Sequence, residues 1–207
     1  MFRALQDLRL VNSGAKFCAR ALLLQAVCFK LAKPVRMTMS EAMYDDSALA
    51  NIGIEKFRQV SPSLYRGGQP NREEILALAK AGIQTVITLR WDAVAIRQER
   101  RWVKEAGMNY IVIPLTYFVL PTRKEIARFL EICDDPVMQP VFVHCKHGVD
   151  RTGALIAIWR VAKENWSADR AYAEMRDLGF HKIRVHHFKF AVYDFAERLE
   201  RQKRIND

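Results

Sequence analysis

The sequence predicts an α/β architecture, a central and mostly parallel sheet flanked by helices, and three observations predict it. Short apolar runs of strand length, Thr85 to Leu89, Tyr110 to Ile113 and Val141 to His144, alternate with longer segments of helical pattern. Helix-start signals fall between them: Asn71 as an N-cap, and Thr122 with Glu125 three residues on as a capping box. Gly82 and Gly107 stand where the first two helices must stop.

The elements follow in order. Residues 1–50 read as a basic extension and 51–207 as one domain. Of the net charge of +10 (33 Lys and Arg against 23 Asp and Glu), residues 1–36 supply seven basic side chains and one acidic, Asp7. Charge concentrated in a leader, with no nucleic-acid motif, excludes nucleic acid as the expected partner. Between Ala15 and Ala32 the chain is apolar but broken by Lys16, Arg20, Gln25 and Lys30; a bilayer span needs ~20 apolar residues. The three cations fall on one arc of a helix, so this segment reads as a basic amphipathic helix packed on the domain, as a membrane-surface or targeting segment, or as a poor signal peptide. A cytoplasmic location with membrane-surface contact is the expectation, with an organellar or exported one as the alternative. Met37 to Asn51 reads as a linker or short helix.

Strand-like Leu64-Tyr65-Arg66 enters a Gly67-Gly68 turn, and Asn71 opens a helix through Ala81. A helix from Ala93 to Ala106, another from Thr122 to Cys133, and three more at Thr152 to Lys163, Ser167 to Leu178 and His187 to Gln202 complete the domain. Ligands of such sheets bind beyond the carboxyl ends of the strands. That edge collects Arg90, Trp91, Asp92, the Pro114 to Pro121 loop and the loop after His144, and it leaves out Cys133, Asp134 and Asp135. The four cysteines (Cys18, Cys28, Cys133, Cys145) have neither metal-ligand spacing nor the density of a disulfide scaffold, which fits a reducing compartment. The His-rich stretch His181, Lys182, Arg184, His186 and His187 reads as solvated surface or helix-start polarity.

Cys145-Lys146-His147-Gly148-Val149-Asp150-Arg151-Thr152-Gly153 joins strand to helix with five residues between cysteine and arginine. Five residues curl a loop so that successive backbone N–H groups converge on one anion, and the Arg151 guanidinium closes the ring with a bidentate fork. A thiol of pKa ~8.5 falls to ~3.5–7.5 beside a helix N-terminus and cations. Cys145 is therefore the candidate nucleophile, Arg151 the oxyanion fork, Lys146, His147, Gly148 and Val149 the cradle, and Thr152 a hydroxyl donor to the sulfur. His144 orients the loop from behind.

His144 to Gly153 resembles the signature loop of the cysteine-dependent protein tyrosine phosphatase superfamily, in its dual-specificity branch. Leu64-Tyr65-Arg66-Gly67-Gly68-Gln69-Pro70 resembles the opening segment of the bacterial, fungal and plant atypical dual-specificity phosphatases. The resemblance spans about Gly53 to Phe195 and implies a protein tyrosine phosphatase-like fold and hydrolysis of phosphate monoesters through a phosphocysteine on Cys145, with no metal and no cofactor. Its substrates would be phosphotyrosine or phosphoserine proteins, or a phosphoinositide or inositol phosphate. Oligomeric state is not implied.

The sequence departs from that family at the proton donor. Relatives carry an aspartate on the loop some thirty residues before the cysteine, whereas Pro114 to Pro121 holds no acidic residue. Asp150 in the phosphate loop and Asp92 beyond the neighbouring strand are the remaining candidates. Each has a structural alternative: Asp92 as a helix N-cap, Asp150 as an acceptor of loop N–H groups. Two further readings stay open, a phosphate-binding pseudophosphatase and a rhodanese-like sulfurtransferase.

Overall fold

Four parallel strand ends aligned on one edge organise this protein. The computed structural model describes residues 52–181 and 186–206; the basic extension, its amphipathic helix, the linker and the membrane contact expected of residues 1–50 lie outside the described residues, as do Lys182 and Arg184. The chain runs β1 (Arg58–Ser61), β2 (Leu64–Gly67), α1 (Arg72–Lys80), β3 (Thr85–Thr88), α2 (Ala93–Glu105), β4 (Asn109–Val112), α3 (Arg123–Asp134), β5 (Val141–His144), α4 (Asp150–Glu164), α5 (Ala168–Asp177) and α6 (His187–Asn206). The five-stranded sheet has the order β1-β2-β5-β3-β4, with β1 antiparallel and the rest parallel. Gly67, His144, Thr88 and Val112 stand in register at its carboxyl edge.

Alternation along the strands makes two cores. Leu64, Ile87, Val141 and Val143 face α3, α4, α5 and α6, while Tyr65, Val86 and Phe142 face α1 and α2. Helix α4 is the exception to amphipathic patterning: Asp150 through Trp159 are all buried, which is why its sequence is apolar on every side.

The predicted helix starts are formed. Asn71 and Glu74 exchange bonds of 2.9 and 2.7 Å, and Thr122 and Glu125 do the same at 3.3 and 2.7 Å. Both boxes satisfy donors that would otherwise be orphaned. Strand β1 is an addition to the sequence reading. Its four residues carry one apolar side chain, Val60, and a register shift between Gln59 and Ser61, so no alternation announces it; its charge suits the exposed edge it occupies. Among the described residues no helix is long and apolar enough to cross a membrane.

Candidate active site

Strand β5 ends at His144, the chain turns through 145–149, and α4 begins at Asp150. No side chain caps α4. Its first N–H groups and its positive dipole end are left for an anion, as helix N-termini allow. Gly148 makes the turn possible. Its φ is +67°, and a Cβ there would stand 2.4 Å from the Gly67 carbonyl carbon and 2.6 Å from Gly68 N, inside van der Waals contact. The Gly67-Gly68 turn is thus the floor against which the loop is pressed. Gln69 N donates to Lys146 O at 3.2 Å and Gly68 N to Glu55 O at 2.7 Å, tying loop, turn and the 53–57 segment together.

Cys145 is buried at 2 % exposure, and Arg151 at 1 %. Arg151 is gripped along one side: Nη1 donates to the carbonyls of Leu89 and Leu115, each at 3.2 Å. Nη2 donates to the Tyr117 hydroxyl at 2.8 Å, with the Tyr117 ring 4.2 Å from the guanidinium carbon. Nε is buried and unpartnered. Since Nε–H and Nη2 share one edge of the guanidinium, the fork that an oxyanion needs is the edge the protein leaves underused. The Thr152 hydroxyl, expected to donate to the Cys145 sulfur, makes no such bond and is likewise buried without a partner. Buried polar atoms are normally satisfied, so two orphans side by side in the sequence at one loop mark a place for a ligand's oxygens.

Two buried charges stand behind the loop, and the sequence reading assigned neither. Arg66 on β2 is 2 % exposed and donates from Nη2 to Gly148 O at 2.6 Å. Pulling that carbonyl outward leaves loop N–H groups free to turn inward. Burial pushes the Arg66 pKa down to about 10, partly opposed by Glu174 and Cys145, so the group stays cationic at neutral pH. Glu99 on α2 is fully buried and faces His144, the two 3.2 Å apart as an ion pair by distance though not aligned along the ring N–H. His144 Nδ1 lies 3.2 Å from Cys145 O, and Tyr110 donates to Glu99 at 2.7 Å. Burial would raise the Glu99 pKa, but His144, Tyr110 and Thr88 outweigh it and hold the carboxyl below its ordinary range.

Glu99→Ala should cost about 3–5 kcal/mol, because it strands a buried imidazole and a tyrosine hydroxyl, and lower Tm by roughly 6–20 °C, readable by calorimetry. A depressed folded pKa means that this contribution is fully present above the ordinary glutamate value near ~4.3 and is lost as pH falls through the folded value. The wild-type margin over the variant should therefore shrink in acid.

The proton-donor candidates are also placed. Asp92 caps α2 by accepting from Ala95 N at 2.8 Å; that bond, with Arg90 nearby, lowers its pKa. Glu125 Oε2 is held by Thr122 N and Oγ1, each at 2.7 Å. Asp150 is 6 % exposed and accepts from His181 N at 3.0 Å, with His181 Nδ1 3.1 Å from its Oδ2. His181 is therefore more than surface polarity. Lys146 and His147 are exposed, while Gly148 and Val149 are buried. A cavity of about 790 Å³ opens over the loop, lined among others by Lys56, Tyr117, Lys146, His147, Asp150 and His181. Cys133 is on the opposite side of the logic: burial pushes its thiol up.

Among the described residues no group of three or more His, Cys, Asp or Glu is placed to hold a metal ion. Thiol, uncapped helix N-terminus and guanidinium fork, at the carboxyl edge of a parallel sheet, are the parts of a cysteine-dependent phosphatase site on the protein tyrosine phosphatase fold. The comparisons narrow the class: residues 47–191 match the model of the PTP-NADK family, the dual-specificity phosphatase domain fused to NAD+ kinase, and the chain belongs to that family. It is similar to the dual specificity protein phosphatase TpbA of Pseudomonas aeruginosa, 27% identical over 59% of this chain and 54% of the relative. It is also similar to the inositol diphosphatase SIW14 of Saccharomyces cerevisiae, 27% identical over 70% of this chain and 53% of that one. The chain thus spans about half the length of these curated relatives. The solved core catalytic domain of SIW14, in complex with citrate, superposes with a TM-score of 0.59 at 26% identity, over 74% of this chain and 94% of that one.

Proposed function

We propose that this protein hydrolyses phosphate monoesters without a metal, by attack of the Cys145 thiolate on phosphorus. The sulfur–phosphorus bond forms as the ester oxygen leaves, and water then releases phosphate and regenerates the thiolate. Arg151 and the N–H groups of Lys146 to Thr152 hold the three equatorial oxygens. Asp150 contributes through the side chain it holds, His181. The observation that carries this reading is the buried guanidinium edge of Arg151, with Nε unpartnered beside an uncapped helix. Relatives that act on proteins and on inositol pyrophosphates support the two substrate classes. The cations Lys56 and Lys146, with the His147 imidazole, around a wide cavity favour a substrate with several phosphates, the inositol phosphate class, over a lone phosphotyrosine.

Wild-type protein in excess EDTA should release phosphate from p-nitrophenyl phosphate and, quenched in acid during turnover, carry one phosphoryl group on the Cys145 peptide by mass spectrometry. A panel of phosphotyrosine peptides, phosphoinositides and soluble inositol phosphates should rank the last highest in kcat/KM. Sulfur transfer from thiosulfate to cyanide in place of phosphate release would establish the sulfurtransferase reading instead. In the same assay Gly148→Ala should lose at least about 10²-fold, because the added methyl cannot coexist with the Gly67 backbone and an ångström of loop displacement is enough to misplace the reacting atoms.

A further inference from the structure

The three carboxylates nearest in sequence to the role of proton donor, Asp92, Glu125 and Asp150, are each occupied. Asp92 and Glu125 serve helix starts, the Pro114 to Pro121 loop carries none, and its Tyr117 hydroxyl is bound to Arg151. Asp150 is buried and takes two donors from one residue, the backbone N–H and ring Nδ1 of His181. A carboxylate only accepts, so Nδ1 carries a proton and Nε2 is the ring nitrogen left to exchange one. His181 is half exposed, at 53 % of its side chain, and lines the same cavity as Lys146, His147 and Val149 of the phosphate loop.

We propose that His181, oriented by Asp150, is the proton donor of this site. The inference rests on the phosphatase reading above. In the first step Cys145 Sγ bonds to phosphorus, the bond from phosphorus to the ester oxygen breaks, and the proton on His181 Nε2 passes to that oxygen, so that an alcohol departs and a neutral imidazole remains. In the second step the same Nε2 takes a proton from the attacking water, phosphate leaves sulfur, and thiolate and imidazolium are restored. The arrangement places the acid on the α5–α6 connection and frees the β4–α3 loop to hold the arginine. Asp150 is a positioning residue: by accepting from the backbone N–H and from Nδ1 it fixes the ring's orientation and tautomer and leaves Nε2 for proton exchange. The other titratable groups around this cavity are Lys56, Lys146, His147 and Glu55, of which Glu55 is the rival donor.

The test is a leaving-group comparison in His181→Gln, Asp150→Asn and Glu55→Gln. An alkyl phosphate needs its leaving oxygen protonated, whereas nitrophenolate departs unaided. For His181→Gln, kcat/KM on phosphoserine should fall about 10²–10⁴-fold and on p-nitrophenyl phosphate at most about tenfold, with Asp150→Asn showing the same selectivity to a smaller degree. Glu55→Gln should leave the ratio of the two unchanged. The ratio is taken within one preparation, so a loss of folded protein cancels. An unchanged ratio in His181→Gln, or a selective loss in Glu55→Gln instead, overturns the assignment while leaving the phosphatase reading standing. A wild type inert towards p-nitrophenyl phosphate overturns both.

Discussion

Cys145→Ser should abolish turnover, by about 10⁴-fold or more, while the protein keeps its fold and its grip on oxyanions. Cys145 is 2 % exposed and part of the core that includes Val143, Ala154 and Leu155, and an oxygen in place of its sulfur is smaller, so nothing has to move. What changes is ionisation. A thiol ionises far more readily than an alcohol and its sulfur is the better nucleophile towards phosphorus, whereas a serine hydroxyl does not ionise near neutral pH. The expected result is tungstate binding by calorimetry within a few-fold of wild type and no detectable release of nitrophenol. Equal turnover in both proteins would remove the cysteine from the chemistry. Parallel loss of binding and turnover would show that the loop, not the nucleophile, had been lost.

That experiment separates what the sequence states locally from what only the fold supplies. The cysteine, arginine and glycine of the loop are separated by fixed intervals, and backbone geometry turns those intervals into a cradle; the parallel strands and the helix starts follow from apolar runs alternating with helical segments and from Asn71, Asp92, Thr122 and Ser167. The supporting charges do not follow from intervals. Arg66 and Glu99 look in sequence like solvated residues, Glu99 above all within Arg97-Gln98-Glu99-Arg100-Arg101. The signal that was present is weaker: Ile96, Glu99 and Val103 lie on one helical stripe, so a carboxylate replaces a hydrophobe on the buried face of α2. His181 could not be found this way, since it meets Asp150 across 31 positions. Tyr117 is one aromatic of an otherwise apolar loop in the sequence, and its bond to Arg151 depends on how the β4–α3 loop closes, which no periodicity encodes.

Arg151→Lys is the second large effect, and the structure explains why conserving the charge does not conserve the function. The guanidinium here does two jobs at once. Nη1 satisfies the carbonyls of Leu89 and Leu115, which belong to two different loops at the sheet edge, while the opposite edge of Nε and Nη2 is turned to the site. An ammonium has three donors at a single point and no second edge. If it reaches the two carbonyls it withdraws from the oxyanion, and if it reaches the oxyanion it leaves two buried carbonyls unpaired, at about 1–3 kcal/mol each. The transition state loses its bidentate clamp in either case, so kcat/KM for p-nitrophenyl phosphate should fall about 10³-fold or more. Thermal melting should drop in the same variant, because the buried carbonyls and the cation–π contact with Tyr117 are structural as well. Activity within tenfold of wild type would show that positive charge alone suffices and that the fork geometry carries no catalytic weight.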